Sequence, residues 1–330
     1  MAVVIVTYGD RELILTSVLS DVIGHDRRIK KIYVVNNGAK FNVKECCKKI
    51  SSSAINVIDV GFNSGSANGF KVGLMSAVNS GHEYIWILDD DNCPKKDALN
   101  YLLRSKDIFG VANDDVFVSF RESRKEYNDI LCGIKKVDNI NSFLNFGILD
   151  FRDSFNKISK KFGVKSAQNK SQIYSVASIS RAPYGGMLIS SDLIKKIGYP
   201  NSEMVLYSDD HEFSERIINS GGKIYLIEPS RLVEMEESWD RGVGGGHQFY
   251  NIKSPEFKIY YSVRNRVYLD WSRVKCRPCF FANMIVYLIF AALISVRSKS
   301  FFGVFIKRTK LLLAAISDGI NGKLGNRFNI

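Results

Sequence analysis

Short apolar runs alternate with helical patterns along residues 2 to 88, and this alternation constrains the fold more than any other feature of the chain. Ala2–Val6, Ile32–Val35, Ile55–Val60 and Tyr84–Leu88 have the length and composition of buried strands. Strands that alternate with helices are typical of an α/β protein with a doubly wound parallel sheet. We therefore predict a Rossmann-like sheet in this part of the chain.

The pattern changes twice further along the chain. Between about Phe120 and Ser180 few apolar positions are periodic, and we expect irregular structure with a loop over the site. A strand over Gly185–Ser190 and a helix over Ser191–Ile197 then restore regular order. The expected division is a catalytic domain over residues 1–270, with halves at 1–110 and 180–270, followed by C-terminal helices over 271–330.

Three consecutive aspartates, Asp89, Asp90 and Asp91, come directly after the last of these apolar runs. Because successive side chains on a strand point to opposite faces, Asp89 and Asp91 share one side. At the carboxyl end of a parallel strand, two converging carboxylates are the oxygen ligands that a hard divalent cation prefers. The alternative is a solvated acidic turn with Asn92 and Pro94 as its breakers.

A loop of small residues, Gly61–Gly73, joins the third strand to the helix that follows it. Glycines allow a ligand to approach the backbone, and the free N–H groups at a helix N-terminus attract an anion. The loop could therefore bind a phosphate or a ribose. Its spacing matches neither the dinucleotide motif nor the P-loop, and tight turns also need glycine for geometry alone.

A second acidic pair, Asp209 and Asp210, stands at the start of a predicted helix. Asp209 has capping-box spacing to Glu212, and a role as a helix cap would explain its presence without a catalytic role. Asp210 could face the cleft as a general base that takes the proton from an acceptor hydroxyl. The alternative is a solvated acid that the helix dipole favours.

Two later residues are further candidates. His247 follows the glycine-containing run Gly242–Gly246, and an imidazole on a flexible loop could be a third metal ligand. An exposed loop histidine is the alternative. Arg264 lies on a predicted helix and could clamp a diphosphate or an acceptor phosphate, with a salt bridge to the Glu234–Glu237 run as the alternative.

Most of the excess positive charge of the chain lies in its C-terminal tail, residues 271–330. The formal net charge is +12, and residues 271–330 contain ten Lys and Arg against the single acid Asp318, a net of +9. These cations alternate with long apolar stretches rather than aromatic stacking platforms, which favours an anionic bilayer surface over nucleic acid. Phe280–Val296 is near the lower length limit for a spanning helix, and Phe301–Ile316 mixes cations with apolar residues. We expect a surface-lying helical hairpin. The alternatives are a membrane-spanning helix and helices packed on the core or on another subunit.

The cysteines and the N-terminus indicate in which cellular compartment the protein is expected. The six cysteines are scattered, and the one C-x-x-C pair, Cys276 and Cys279, has no second pair to complete a zinc site, so we expect reduced thiols. The N-terminus lacks the basic region of a secretory signal and runs directly into the first strand. With the cationic tail, these features predict a cytoplasmic protein that is peripheral on the inner face of the plasma membrane.

The order of these motifs resembles glycosyltransferase family 2 with the GT-A fold, and within it the bacterial galactofuranosyltransferases and their rhamnosyltransferase relatives. The resemblance covers about residues 2–270. Its pieces are Val4–Tyr8, Val34–Gly38, Asn63 to Gly73, Trp86–Asp91, the strand that begins at Gly185 and Gly186, Asp209 with Asp210, His247, and Tyr261–Asn265. One departure is Asn36, where many relatives have Asp.

The resemblance implies roles for particular residues. Asp89 and Asp91 would hold Mn²⁺ or Mg²⁺ on the donor diphosphate, and His247 would be the third protein ligand. Asp90 would contact the ribose or the sugar of the donor. The acidic pair at the helix start would supply the catalytic base, which matches Asp210.

The same resemblance implies a donor-binding set around the glycine loop. Thr7 and Asn37 occupy positions that line the uridine site in such enzymes. The complete expected set is Thr7, Asn37, Asn63, Gly65, Gly69, Asp90 and Arg264.

Enzymes of this kind invert the anomeric centre in a single displacement, for which a base and a metal suffice. We expect transfer of galactofuranose from UDP-galactofuranose to a growing lipid-linked bacterial surface glycan, such as an O-antigen, a capsule or a cell-wall galactan. The alternatives are a dTDP-rhamnose-dependent transferase of the same fold and, from a different class, an inactive sugar-nucleotide-binding scaffold protein. The expected partners are the UDP-sugar donor, the lipid-linked acceptor and the anionic inner-membrane surface, without nucleic acid; a homo-oligomer or an assembly complex is compatible with them.

Overall fold

A computed structural model of the protein describes residues 1–50, 52–110, 114–134, 140–144, 146–147, 175–236, 249–251, 253–297 and 302–328. The strands in these ranges are β1 (Ala2–Gly9), β2 (Lys31–Ala39), β3 (Ile55–Asp59), β4 (Tyr84–Asp89), β5 (Asn92–Pro94), β6 (Val116–Arg121), β7 (Val176–Ile179), β8 (Met187–Ser190) and β9 (Ile224–Glu234). The α-helices are α1 (Glu12–Val22), α2 (Val43–Lys49), α3 (Ser66–Asn79), α4 (Ala98–Phe109), α5 (Lys125–Leu131), α6 (Ser191–Ile197), α7 (Asp209–Asn219), α8 (Glu256–Trp271), α9 (Arg277–Arg297) and α10 (Phe302–Ile320). Each strand and helix that the sequence predicted is present, with shifts at the ends.

The strands form one mixed sheet in the order β3-β2-β1-β4-β8-β6-β9-β5, with β7 also paired to β9. The strands β1 to β4 are parallel to one another, as predicted. In the second half, for which no strand direction was predicted, β8 pairs antiparallel with both β4 and β6. A parallel neighbour of β4 would need a crossover that returns the chain to the same end of the sheet, and β8 instead enters from the opposite end.

Each face of the sheet carries its own hydrophobic core, because side chains alternate along every strand. On one face Val4 of β1 belongs to a core with Phe70 of α3. On the other face Val3 and Ile5 of the same strand belong to a core with Leu15 of α1. Both cores cover the sheet with helices, which leaves the strand ends as the place where polar side chains can meet.

The two tail helices α9 and α10 form a third core with α8. Phe280 and Tyr287 of α9 and Ala315 of α10 are buried there with Tyr261 and Val267 of α8. One face of the tail is therefore packed on the catalytic part of the chain, which was the alternative to a hairpin lying free on a surface. In the described ranges, no helix has the length and apolarity that crossing a membrane requires.

The two remaining predictions about the fold have mixed outcomes. The weakly patterned stretch from Phe120 to Ser180 contains α5 and β7, and most of the rest of it lies outside the described residues. The prediction of reduced thiols is wrong for Cys276 and Cys279, which form a disulfide at the start of α9. The C-x-x-C spacing at a helix start brings the two sulfur atoms together, and the other four cysteines are free.

Candidate active site

The acidic triplet lies at the carboxyl edge of the parallel strands. Val6 of β1 is the register partner of Asp89, the last residue of β4, and the chain then turns through Asp90 and Asp91 into β5. The Asp89 side chain is 35% exposed, Asp91 is half-buried and Asp90 is buried. Asn92 fixes this turn, because its amide donates to the Asp91 carboxylate at 2.8 Å and its carbonyl oxygen accepts the Asp89 N–H at 3.4 Å.

Burial and neighbouring charges raise the pKa of these carboxyl groups. Desolvation raises the pKa of Asp91 to about 7, with further increases from the charges of Asp89 and Asp90. Desolvation also raises the pKa of Asp89, while Arg121 lowers it and Asp210 raises it. Because the charge of Asp210 acts on Asp89, the two acidic motifs of the sequence share one electrostatic environment.

Asp89 and Asp91 fit a divalent cation in the chemistry of their donor atoms. Carboxylate oxygens are hard ligands, and two carboxylates that disfavour each other's charge are stabilised by a cation that binds both. Across the described ranges, no group of three or more His, Cys, Asp and Glu side chains is arranged to hold a metal ion. The third ligand that the sequence predicted, His247, lies outside the described residues.

Asp90 is held apart from the other two aspartates by Arg11, which follows β1. The Arg11 guanidinium donates to Asp90 and to Glu236, and its central carbon lies 4.3 Å from the centroid of the Tyr8 ring. Burial raises the pKa of Asp90 to about 6, while Arg11 and the hydroxyl of Thr7 lower it. A contact between Asp90 and a donor would therefore compete with Arg11, and the predicted role of Asp90 stays a prediction.

Arg121, at the end of β6, is a buried cation behind Asp89. It pairs with Glu234 at 2.7 Å, donates to the Gly185 carbonyl at 2.7 Å and lies 3.6 Å from Asp89 Oδ2. Gly185 presses on the same carboxylate: a Cβ atom there would be 2.2 Å from Asp89 Oδ2 and 2.1 Å from Asn92 Oδ1. The position of Asp89 is thus set by an ion pair on one side and by a glycine backbone on the other.

Asn37 shapes the glycine loop from within. Its amide nitrogen donates to the Gly65 carbonyl at 3.1 Å and to Asn63 Oδ1 at 3.4 Å, and its oxygen accepts the N–H and the hydroxyl of Ser64. Asn37 is buried and its polar atoms are used in these bonds, so a direct contact with uridine would require it to give them up. Thr7, the other residue expected to line the uridine site, is fully buried beside Asp90.

The glycines of this loop are required by packing. Gly65 has a φ of +84°, and a Cβ atom there would be 2.0 Å from the carbonyl oxygen of Val205. A Cβ atom at Gly69 would be 2.6 Å from a methyl group of Val6. The structure therefore accounts for both glycines by geometry, and a role of the loop in binding an anion stays a prediction.

The second acidic pair divides into a buried and a more accessible carboxylate. Asp209 is buried, both its oxygens lie 3.1 Å from the Ser66 hydroxyl, and burial followed by the charge of Asp210 raises its pKa well above the usual value. The capping-box interpretation of Asp209 is wrong, because the N-cap residue of α7 is Ser208, whose carbonyl accepts the Glu212 N–H. Asp210 is half-buried and is the member of the pair that a substrate could reach.

Arg264 has a different environment from the phosphate clamp that the sequence predicted. Its guanidinium is buried and donates to the backbone carbonyls of Glu203, Met204 and Gly325 and to the side chain of Asn265. The alternative, a salt bridge to the Glu234–Glu237 run, is wrong for the described members Glu234 and Glu236, because these pair with Arg121 and Arg11. The guanidinium of Arg264 has only N–H donors, and these can bind backbone carbonyls as well as they can bind a phosphate.

Arg11 and Arg121 are the site residues that sequence reasoning missed. Arg11 directly precedes α1 and Arg121 ends β6. Both positions are at the carboxyl edge of the sheet, where the aspartates also lie. The available signal was the arginine that closes the apolar run Val116–Arg121, since a cation at the end of a buried strand needs an anionic partner.

Comparison with known proteins agrees with this arrangement. Residues 2–158 match the family model described as glycosyl transferase family 2. Those residues are similar to glycosyl transferase family 2, and together with the relative named next they support a glycosyltransferase. Among characterised proteins, the chain is similar to the galactofuranosyltransferase GlfT1 of Mycolicibacterium smegmatis, with 23% identity over 270 residues that span 81% of each chain.

Solved structures show the same fold at low sequence identity. Residues 1–349 of S. aureus TarS in complex with UDP-GlcNAc superpose with a TM-score of 0.52 and 13% identity, over 97% of this chain and 80% of that one. GalNAc-T7, solved with UDP, GalNAc and Mn²⁺, superposes with a TM-score of 0.50 and 12% identity, over 83% of this chain and 52% of that one. The mixed α/β sheet is therefore GT-A-like, as the sequence predicted.

Proposed function

We propose that the protein is an inverting, metal-dependent galactofuranosyltransferase that uses UDP-galactofuranose and extends a lipid-linked bacterial surface glycan. The observation that carries the proposal is the position of Asp89 and Asp91 at the carboxyl edge of a GT-A-like sheet, where the charge of Asp210 acts on Asp89. The similarity to a galactofuranosyltransferase over 81% of the chain supports this choice of donor.

In the proposed reaction Asp210 takes the proton of the acceptor hydroxyl as that oxygen attacks the anomeric carbon of the donor. The new glycosidic bond forms while the bond between the anomeric carbon and the diphosphate breaks, so that UDP leaves with the bonding electrons. A single displacement of this kind inverts the anomeric centre and needs no covalent nucleophile. The half-buried position of Asp210 beside the buried Asp209 is compatible with a base that meets its substrate in a cleft.

Asp89 and Asp91 are the residues that would hold the divalent cation, with His247 as the proposed third ligand. When bound, Mn²⁺ or Mg²⁺ would supply positive charge that stabilises the departing diphosphate. Arg121 and Gly185 would keep the Asp89 carboxylate in place for this purpose. Thr7, Asn37, Asn63, Gly65, Gly69 and Asp90 would surround the nucleotide, either directly or by shaping the loop.

A donor screen tests the proposed function. The full chain is incubated with Mn²⁺, a polyprenyl-linked glycan acceptor and, in turn, UDP-galactofuranose, UDP-galactose and dTDP-rhamnose, and nucleotide release and glycan mass are measured. We expect turnover with UDP-galactofuranose. Preferential turnover with dTDP-rhamnose would instead support the rhamnosyltransferase alternative, and nucleotide binding without any turnover would support an inactive scaffold protein.

We also propose that the tail holds the enzyme at an anionic membrane surface on the cytoplasmic side, as a peripheral protein. The outward face of α9 carries apolar side chains that are between 37% and 63% exposed, namely Phe281, Ile285, Val286, Ile289, Phe290 and Leu293. Exposed apolar side chains on a helix with cationic flanks favour the interface of an anionic bilayer. A second copy of the chain is a poorer partner for this face, since two tails with a net charge of +9 each would repel each other.

Vesicle sedimentation tests this attachment. We expect the full chain to sediment with phosphatidylglycerol vesicles and much less with phosphatidylcholine vesicles. Replacing Ile285 and Ile289 with Asn should abolish sedimentation, while Ile108→Asn, which changes a 71% exposed isoleucine on α4, should not. Equal sedimentation of the double variant and the wild type would contradict the proposed surface.

A further inference from the structure

The segment Glu203–Ser208, directly before the second acidic pair, has an unusual backbone. Val205, Tyr207 and Ser208 all have positive φ angles, of 66°, 67° and 58°. Such angles are uncommon for residues other than glycine, and a β-branched valine there is an outlier. The Leu206 N–H donates to the Met204 carbonyl at 2.8 Å, which closes a tight γ-turn around Val205. A backbone of this kind persists only where the surrounding structure holds it.

Asn265 on α8 holds this segment. Its side chain is fully buried, and its two amide N–H groups are shared among the carbonyls of Met204, Leu206 and Tyr207, whose oxygens lie 2.7, 2.8 and 2.8 Å from the nitrogen. The Asn265 oxygen accepts from Arg264 at 2.8 Å, so that the amide orientation is fixed. One side chain thus contacts three carbonyls of a segment that lies outside the α-helices and strands.

Arg264 and the C-terminal residues complete this support. Arg264 donates to the carbonyls of Glu203 and Met204 at 3.1 and 2.9 Å, and to the carbonyl of Gly325 at 2.6 Å. The Gly325 N–H donates in turn to the Glu203 carbonyl at 2.8 Å. The hydroxyl of Tyr261 accepts the next backbone N–H groups, those of Arg327 and Phe328, which anchors this part of the chain on α8.

The supported segment contacts both parts of the candidate active site. On one side the Val205 carbonyl accepts the Ala67 N–H of the glycine loop at 3.3 Å and occupies the space that a side chain at Gly65 would need. On the other side Ser208 is the N-cap of α7, which carries Asp210 in its first turn. A shift of this segment would therefore move the glycine loop and Asp210 relative to each other.

We propose that Asn265 and Arg264 are positioning residues for the transfer reaction, and that Gly325 in the tail helps them to hold the Glu203–Ser208 backbone. They act through the Glu203–Ser208 backbone and set the distance between the donor-side glycine loop and the catalytic base. The inference rests on the proposed function for the role of Asp210, and it adds that the C-terminal segment is required for catalysis as well as for attachment. Arg264, which the sequence suggested as a phosphate clamp, thereby acquires a different role.

The test compares three full-length variants. Asn265→Asp keeps the size of the side chain but removes the amide donor, and Gly325→Pro removes one N–H group and cannot adopt the φ of +94° found there. The matched control is Asn321→Ala, which deletes an asparagine amide that bonds only to Ser317 within its own helix end. The readouts are amide hydrogen exchange, the Kd of UDP, and kcat and KM with the donor that the screen identifies, all measured well below the unfolding temperature.

We expect Asn265→Asp to speed amide exchange in residues 204–210 and 65–69 while β1 and β4 remain protected. Its kcat should fall by about 100-fold, the size of effect that a displaced catalytic group can cause, with a change in KM of only a few-fold. Gly325→Pro should change both readouts in the same direction and by less, and Asn321→Ala should change neither. If Asn265→Asp does not fold, the comparison of kcat and amide exchange between Gly325→Pro and Asn321→Ala tests the proposal by itself.

Unchanged kcat in Asn265→Asp and Gly325→Pro, with only a lower unfolding temperature, would overturn the proposal and leave a purely structural role. Exchange that rises uniformly over the whole chain would overturn it as well. The exchange readout needs no substrate, so a wild-type protein that transfers no sugar would refute the proposed function while local exchange still reports on the support of the segment.

Discussion

The donor-side half of the sheet and the Glu203–Ser208 segment position their acidic residues by different means. Asp89 and Asp91 follow an apolar run that predicts a buried strand, and the adjacent Asn92 fixes the turn between them. Asp210 owes its place to a strained backbone that side chains about 60 residues later in the chain hold. Long-range contacts hold both parts of the site, but a sequence pattern marks the position of Asp89 and Asp91, whereas no pattern marks the irregular backbone before Asp210.

Removing a proposed metal ligand should have the largest effect on the donor-side half of the site. Asp91→Ala should abolish donor binding that depends on a divalent cation, since it removes one of the two converging carboxylates. Isothermal titration with UDP and Mn²⁺ measures this. The control is Asp107→Ala, which removes a 68% exposed carboxylate on α4, and Mn²⁺-dependent binding that survives in Asp91→Ala would exclude Asp91 as a ligand.

A second experiment separates the two members of the later acidic pair. Asp210→Asn should retain UDP binding and lose turnover by about 10²- to 10⁴-fold, the usual contribution of a general base. Asp209→Asn is the matched control, because burial raises the pKa of Asp209 and favours the neutral form, which an amide imitates. We expect it to keep turnover within a few-fold. Similar losses in both variants would contradict the assignment of the base.

A smaller effect should follow from a methyl group behind Asp89. In Gly185→Ala the new Cβ atom would lie 2.2 Å from the Asp89 carboxylate, so the carboxylate must move. Turnover should fall on the order of tenfold to 100-fold, because misplaced groups at a reacting centre have effects of that size. Gly81→Ala is the control for strain away from the site, since its φ of +76° disfavours alanine but no atom lies within 4 Å of a Cβ there. Equal steady-state rates in the two variants would contradict the proposed role of this contact.

The two faces of α9 should differ in their effect on stability, with little effect on the site. Phe280 is fully buried against Trp271, with a distance of 5.4 Å between ring centroids, so Phe280→Ala should lower the free energy of unfolding by about 3–5 kcal/mol. Ile289 on the opposite face is 55% exposed, and Ile289→Asn should change it by no more than about 0.5 kcal/mol. Denaturant unfolding measures both. A large loss in Ile289→Asn would show that this face is covered in solution.

The sequence predicted the fold where local patterns suffice. Short apolar runs that alternate with helical patterns predicted β1 to β4, and the residue types at the end of β4 pointed to Asp89 and Asp91 as a candidate site. Strand direction in the second half could not be predicted, because the antiparallel entry of β8 beside β4 is decided by contacts distant in sequence. Periodicity carries no information about which strands will be neighbours.

The site shows the same limit. The motif containing Arg264 and Asn265 was visible in the sequence, and a phosphate clamp was a natural interpretation of an arginine on a helix. Its role in holding carbonyls depends on a backbone with positive φ at Val205, which no residue preference predicts for a β-branched side chain. Arg121 was missed for a related reason, since its partners Glu234 and Gly185 are distant in the sequence.

The central claim is that Asp89 and Asp91 anchor the donor diphosphate through a divalent cation. The most direct measurement is the affinity of the wild-type chain for UDP by isothermal titration, first with Mn²⁺ and then with an excess of chelator. The account predicts that removing the cation weakens UDP binding by roughly 10- to 100-fold, within the usual range of coupling between two ligands. The same affinity in the presence of the chelator would contradict it.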